Sequence, residues 1–263
     1  MRTIQLLHCF GARAGAGNPA LVIENDHTDA AARQHLAAER QSTCVFIDVA
    51  GPLFVLDYFY PHMRSPLCLH ATLAAAHVLF ARAESAPTIT VKSALRGQLL
   101  TLSKTVDGLF VGLAPQACPA PELGADLAGA LLNRPGIALA SPPAVASVGS
   151  PKLLLEVSDS ATLRALRPNL ELIAAWSKQH GVSGCYAYAR LADGNYEGRN
   201  FNHLDPALED SATGVAAGAL TLHLGHGLQL FQGQSLGQDC LIRSQMRDGR
   251  IWVGGAVENS SSG

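Results

Sequence analysis

PLCLHATLAAAHVL, residues 66–79, sets Cys68, His70 and Thr72 at the mouth of an otherwise apolar run that contains one further histidine, His77. Ala, Leu, Val and Phe fill nearly every later position, so no polar face remains. Such a stretch reads as a helix, Ala71–Arg82, buried on all sides. Residues 209–224, EDSATGVAAGALTLHL, repeat the plan: acid and hydroxyl groups lead into a second small, apolar helix, Ala212–Leu224. ATLAAAH from Ala71 aligns with ATGVAAG from Ala212, about half the chain apart, which points to an internal duplication.

A helix start carries unpaired N–H groups and the positive end of the peptide dipole, and so binds carboxylates. Two lobes aiming such starts at one cleft would hold a small anionic metabolite from both sides. Acid or base residues there, Cys68, His70 and Asp210, would flank the bound carbon. That arrangement suits proton removal beside a carboxylate, because the same N–H groups stabilise the developing enolate. Plainer roles compete. Asp210 and Ser211 suit helix N-caps, His70 a hydrogen-bonded core histidine, and Cys68 a small buried hydrophobe.

The 263 residues are 48% hydrophobic and 15% charged, enough apolar material for two lobes with real cores. A net charge of −2 without Lys/Arg clusters argues against a nucleic-acid surface. No apolar stretch approaches the roughly 18 residues a membrane helix needs, and the N-terminus does not read as a signal peptide. Six scattered cysteines without CxxC spacing suggest free thiols in a reducing, cytoplasmic compartment. No histidine pairing implies a metal, and GAGNP (15–19) reads as a turn, not a dinucleotide fingerprint.

Strands are expected at Leu53–Phe59, Thr88–Val91, Gln98–Leu102, Gly108–Leu113, Leu153–Val157 and Gly184–Arg190, with hairpins turning near Asp107-Gly108 and at Asp248-Gly249. Helices are expected at Asp29–Glu39 and Glu171–His180, a short turn or helix at Leu163–Leu166, and a loop at LADGNYEGRN (191–200). Pro-rich residues 114–125 look like a linker, giving lobes 1–116 and 117–263, the last strand crossing back to the first lobe.

Several stretches together resemble the PhzC/PhzF phenazine-biosynthesis-like family, which shares the diaminopimelate epimerase fold. GNPALV (17–22) is similar to the family's GNPxAV turn, and STCVFI (42–47) to its SETxFV. LDYFYPHMRSPLCLHATLAAAHVLF (56–80) is similar to its strand, loop and CGHAT-led helix, and RNFNHLDPALEDSATGVAAGAL (199–220) to its EDPATGSAAGAL segment. FQGQSLG (231–237) and DGRIWVGGAV (248–257) are similar to its final strands. The resemblance implies an α+β fold of two pseudo-symmetric lobes, each a mostly antiparallel sheet rolled around a central helix. It implies a cofactor-independent isomerase or epimerase acting on a small carboxylate-bearing metabolite, and a homodimer at the family level.

Carried over by position, the resemblance makes His70 and Asp210 catalytic candidates, with Cys68 as a third because the epimerase branch uses a Cys there and Ser211 stands roughly at the second such position. Substrate contacts would come from Asn18, Leu69, Ala71, Thr72, Ser211, Thr213, Gly214 and Val215. The chain departs from the pattern at telling places. Thr43 stands where the family has its proton-shuttling Glu, and an unactivated hydroxyl is too weak an acid to replace it. Leu69 stands for Gly, Ser211 for Pro, Val215 for a binding Ser, Arg64 for a Glu and Asp57 for an Arg. A divergent isomerase is therefore the first expectation, a non-catalytic binder of small acids on the same fold the second, and a scaffold subunit the third.

Overall fold

A computed structural model describes residues 1–83, 85–201 and 209–260. The chain divides into two units, Met1–Leu113 with Gly254–Gly263, and Ala114–Val253.

In the first unit β1 (Thr3–Cys9) pairs antiparallel with β2 (Asn18–Glu24). Gly17 makes the turn at φ +120°; a Cβ there would press on the Cys9 carbonyl, so only glycine fits. Helix α1 (Ala30–Arg40), capped by Asp29, then crosses to β3 (Cys44–Ala50), parallel to β2. Strand β4 (Leu53–Phe59) pairs with β3 along one edge. Its other edge takes short β5 (Arg64–Ser65) at one end and parallel β6 (Thr88–Ser93) at the other. Helix α2 (Leu69–Arg82) fills the β5–β6 connection, and β7 (Leu99–Thr105) and β8 (Gly108–Leu113) continue as a hairpin.

The second unit opens with α3 (Leu127–Leu131) and repeats the plan. Strands β9 (Ala144–Ala146) and β10 (Lys152–Glu156) are antiparallel. Helices α4 (Ser160–Ala165) and α5 (Leu170–His180) bridge β10 to parallel β11 (Cys185–Arg190). Strand β12 (Tyr196–Phe201) pairs with β11, with short β13 (Glu209–Asp210) and with parallel β14 (Gln229–Gln232). Helix α6 (Gly214–Leu224) fills the β13–β14 connection. Strands β15 (Cys240–Arg247) and β16 (Arg250–Gly255) follow, joined by a turn with positive φ at both Asp248 and Gly249, the type I′ signature of an Asp-Gly hairpin. Strand β17 (Val257–Asn259) pairs with β1 in the first unit.

Each central helix is wrapped by strands of its own unit. Helix α2 packs on β1, β2, β3, β4, β8 and β17, and α6 on β9, β10 and β15. Burial of Ala71, Leu73–Ala76, Leu79 and Phe80 is complete or nearly so, as the absence of a polar face requires.

Three expectations need correction. The helices start at Leu69 and Gly214, not Ala71 and Ala212. Both start four residues after the last residue of the preceding short strand, so Cys68 corresponds to Thr213, His70 to Val215 and Ser65 to Asp210. The repeat legible in the letters is one helical turn out of register with the structural repeat, because Ala-rich helices look alike at any turn. LADGNYEGRN is not all loop; Tyr196–Phe201 is strand β12. Its buried Glu197 and Arg199 are paired with Arg164 and Glu209, so the strand shows no apolar alternation. Within residues 199–220, positions 202–208 lie outside the described residues.

The third correction concerns Asp57 and Arg64. Tyr58 faces α2, where its hydroxyl meets Thr72 Oγ1 at 2.8 Å. Strand alternation therefore turns Asp57 and Phe59 to the opposite face, where Phe59 packs with Leu36 and Ala37 of α1. On that outer face Arg64 grips Asp57 through two bonds of 2.8 and 3.0 Å. The equivalent β12–β13 position carries the same bidentate pair with polarity reversed, Arg199 to Glu209 at 2.9 and 2.7 Å. The neighbours set the polarity. In the first unit Arg33 of α1 reaches Asp57 at 3.4 Å, so the strand residue is an anion. In the second, the carbonyls of Leu163 and Leu166 at the end of α4 accept from Arg199 Nη1 at 3.0 Å each, so it is a cation. These two departures from the family pattern fall on structural, not functional, positions.

Arg64→Glu should lower the unfolding free energy by about 1–2 kcal/mol, Arg64 being partly exposed. The double variant Asp57→Arg/Arg64→Glu should fail to recover it, because the new arginine would face Arg33. Urea unfolding of the three proteins checks both outcomes.

Candidate active site

Cys68 is the N-cap of α2, with extended backbone and no side-chain cap bond. Its Sγ lies 3.3 Å from His70 Nδ1 and 3.8 Å from Nε2, and both residues are buried. Burial opposes ionisation of the thiol, yet His70, the Tyr60 hydroxyl and the Ala71 N–H together hold its pKa below the ordinary value. The effect matches a thiol at a helix start beside an imidazole. Cys9 Sγ donates to the His70 carbonyl at 3.1 Å, and Cys9 pairs with Asn18 across β1 and β2. Thr43 precedes β3, its carbonyl accepting from Leu21 N at 2.8 Å. Parallel β2 and β3 begin at the same end of the sheet. One end of the first unit thus gathers Cys9, Asn18, Thr43, Tyr60, Cys68 and His70.

The other candidates on α2 have different employment. Thr72 Oγ1 donates to the Cys68 carbonyl at 2.7 Å and meets the Tyr58 hydroxyl. Its hydroxyl is thus bonded on two sides inside the core. Leu69 and Ala71 are buried.

In the second unit neither Asp210 nor Ser211 caps α6; the N-cap is Thr213. Thr213 Oγ1 donates to Asp210 Oδ2 at 2.7 Å. Gln232 ties the group together: its Nε2 donates to the Asp210 carbonyl at 2.7 Å and to Thr213 Oγ1 at 3.1 Å, while its Oε1 accepts from Tyr186 and from Thr213 N. Gly198 is required here, since a Cβ would collide with the Tyr186 hydroxyl. The Gly214 and Val215 N–H groups in the first turn have no acceptor among the described residues, while Ser211 and the Val215 side chain are half-buried.

Several polar residues went unnoticed in the sequence, Lys152 and Asn200 among them. Register places Tyr186, Asn200 and Asp210 in one row on one face of β11, β12 and β13. Lys152, two residues before Leu154, which pairs with Tyr186, shares that face. Lys152 is 3% exposed, and Ser183 O accepts from its Nζ. Burial pulls its pKa down to about 8, against the upward pull of Asp210 and Cys185. Asn200, 1% exposed, leaves Oδ1 without a partner among the described residues. A lysine opening an apolar strand, SPKLLLEV (150–157), was the only hint. Among the described residues no three His, Cys, Asp or Glu side chains are grouped to hold a metal.

A twice-repeated, sheet-wrapped helix with acid–base side chains at its start is the build of an epimerase-like isomerase. The chain belongs to the PhzC-PhzF family, described as phenazine biosynthesis-like protein, whose pattern matches residues 7–258. It is 28% identical to the uncharacterized isomerase YddE of Escherichia coli O157:H7, over 89% of this chain and 86% of that one. The PhzF-family phenazine biosynthesis protein of Bacillus anthracis superposes with a TM-score of 0.82 at 18% identity, covering 99% of this chain and 98% of that one. A hydroxyproline epimerase from Agrobacterium vitis, solved with trans-4-hydroxy-L-proline, superposes with a TM-score of 0.65 at 12% identity, covering 99% and 91%. No helix among the described residues is long and apolar enough to cross a membrane.

Lys152 makes a measurable prediction. Its folded pKa of about 8 lies below the 10.5 of free lysine. Between those values the unfolded chain holds a proton the folded chain has lost, so raising the pH favours folding. Unfolding free energy should rise from pH about 8 to about 10.5. Lys152→Met should flatten that rise and be more stable than the parent at pH 7, as urea unfolding across pH will check.

Proposed function

We propose that this protein is a cofactor-independent isomerase or epimerase that moves a proton at the carbon beside the carboxylate of a small acid. Its acid–base residues are His70 with Cys68 at the start of α2; Asp210, tied to Thr213 at the start of α6, is a further acid–base candidate. Helix-start N–H groups would receive the carboxylate. The Cα–H bond breaks, the proton passes to the Cys68–His70 couple, and the electron pair moves into the carboxylate as an enediolate. A proton then returns to the same carbon or, in an allylic acid, to a conjugated one. The reading rests chiefly on the 3.3 Å contact between Cys68 Sγ and His70 Nδ1 at the start of α2. It takes the proton-transfer role away from the position of Thr43, whose hydroxyl is no base. A homodimer in the cytoplasm completes the reading.

The fold neighbour solved with trans-4-hydroxy-L-proline makes that compound the first candidate to try. The test is deuterium wash-in from D₂O, followed by NMR, over a panel of small amino and hydroxy acids. Exchange should appear with at least one, and His70→Asn or Asp210→Asn should reduce it by about 100-fold or more. Cys68→Ser should remove the limb of the pH profile that rises below the ordinary thiol pKa. Thr43 at the Glu position favours a second reading, a non-catalytic binder of small acids. Acids that bind without exchanging any proton would establish that second reading and end the first.

A further inference from the structure

His77 is the polar member of α2 that the acid–base cluster leaves unused. It lies two turns after His70 on the same stripe of the helix. It is half-buried, and its imidazole has no hydrogen-bond partner among the described residues. It opens instead on a cavity of about 330 Å³ within the first unit. Phe80 of α2, Leu109 of β8 and Val257 of β17 supply apolar wall, and Lys104 of β7 and Glu258 of β17 stand beside it. Lys104 has no carboxylate partner among the described residues. Glu258 accepts only from the Gly15 N–H at 3.4 Å among its described hydrogen bonds.

The features form a complementary set. Two opposite charges flank an apolar pocket without pairing to each other. A half-buried imidazole supplies both a donor and an acceptor in its neutral form, and burial together with the Lys104 charge favours that form. The volume sits at the small end of ligand pockets, which run from about 300 to 1,000 Å³. That volume suits a molecule of amino-acid size.

We propose that this cavity binds a free α-amino acid with an apolar side chain. Lys104 and His77 take the carboxylate, Glu258 takes the ammonium group, and Phe80, Leu109 and Val257 receive the side chain. The site is distinct from the Cys68–His70 cluster and does not depend on any activity there.

The His77 ring protons, assigned by their loss in His77→Gln, give a local readout by NMR. Titration with L-leucine should shift them saturably. Leucinamide, which lacks the carboxylate, and 4-methylpentanoate, which lacks the ammonium, should each bind about tenfold more weakly or worse, the loss of one charge-assisted contact. Lys104→Met and Glu258→Gln should weaken leucine by a similar factor. Lys104→Met should also raise the pH midpoint of His77, because a neighbouring cation is removed. His70→Asn and Cys68→Ser should leave the titration unchanged, which separates this site from the proposed isomerase. Absence of a saturable shift with L-leucine, L-valine and L-phenylalanine would overturn the proposal. So would equal responses to leucine and its two singly charged analogues.

Discussion

Everything in each unit depends on enclosing one helix in sheet. A helix enclosed over most of its surface can offer little polar face, so α2 and α6 are built mainly from Ala, Gly, Leu, Val and Thr. Hydroxyls that do enter must be spent internally, as Thr72 is on the Cys68 carbonyl and Thr221 on that of Ala217. Enclosure also concentrates reactivity. Only the helix start has backbone donors left over, so acid–base side chains placed there gain both a field and a ligand for an anion. Cys68 and His70 in one unit, and Asp210 with Thr213 in the other, occupy those starts.

The outer face of each sheet is held by a different device. Short strands β5 and β13 end too soon to be secured by backbone pairing alone, and each is tied to its neighbour by a bidentate ion pair. The pairs are opposite in polarity because one lies under an arginine of α1 and the other under the carbonyl end of α4. Asp57 and Arg64 thus fit the packing beneath α1. Thr43 lies at the end of the first unit where Cys9, Asn18 and His70 gather, and Leu69 and Val215 lie in the first turns of α2 and α6.

Buried polar groups in the second unit show how incompletely a protein interior can be read by pattern. Gln232 satisfies Tyr186, Thr213 and Asp210 at once, yet nothing about FQGQ in isolation announces it. Lys152 is costly where it sits, with a depressed pKa and Ser183 O as a hydrogen-bond acceptor, and Asn200 Oδ1 on the same face has no partner among the described residues. Costs of this kind are retained at sites that act on ligands more often than elsewhere.

The letters alone determined the two central helices, most outer strands, the Asp-Gly turns, the internal repeat and the candidates His70, Asp210 and Cys68. Those follow from local rules: apolar composition without periodicity, turn chemistry, and the meaning of reactive residues before a helix. Tertiary structure decided the register of the repeat, because small-residue helices match at any turn. It decided that Tyr196–Phe201 is a strand, because its charges are paired across space. It gave Asp57, Arg64 and the Thr72 hydroxyl their partners within the framework, since the face a side chain occupies depends on pairing register. It also brought Lys152 near Asp210, through contacts between segments far apart in the chain, which no local pattern encodes.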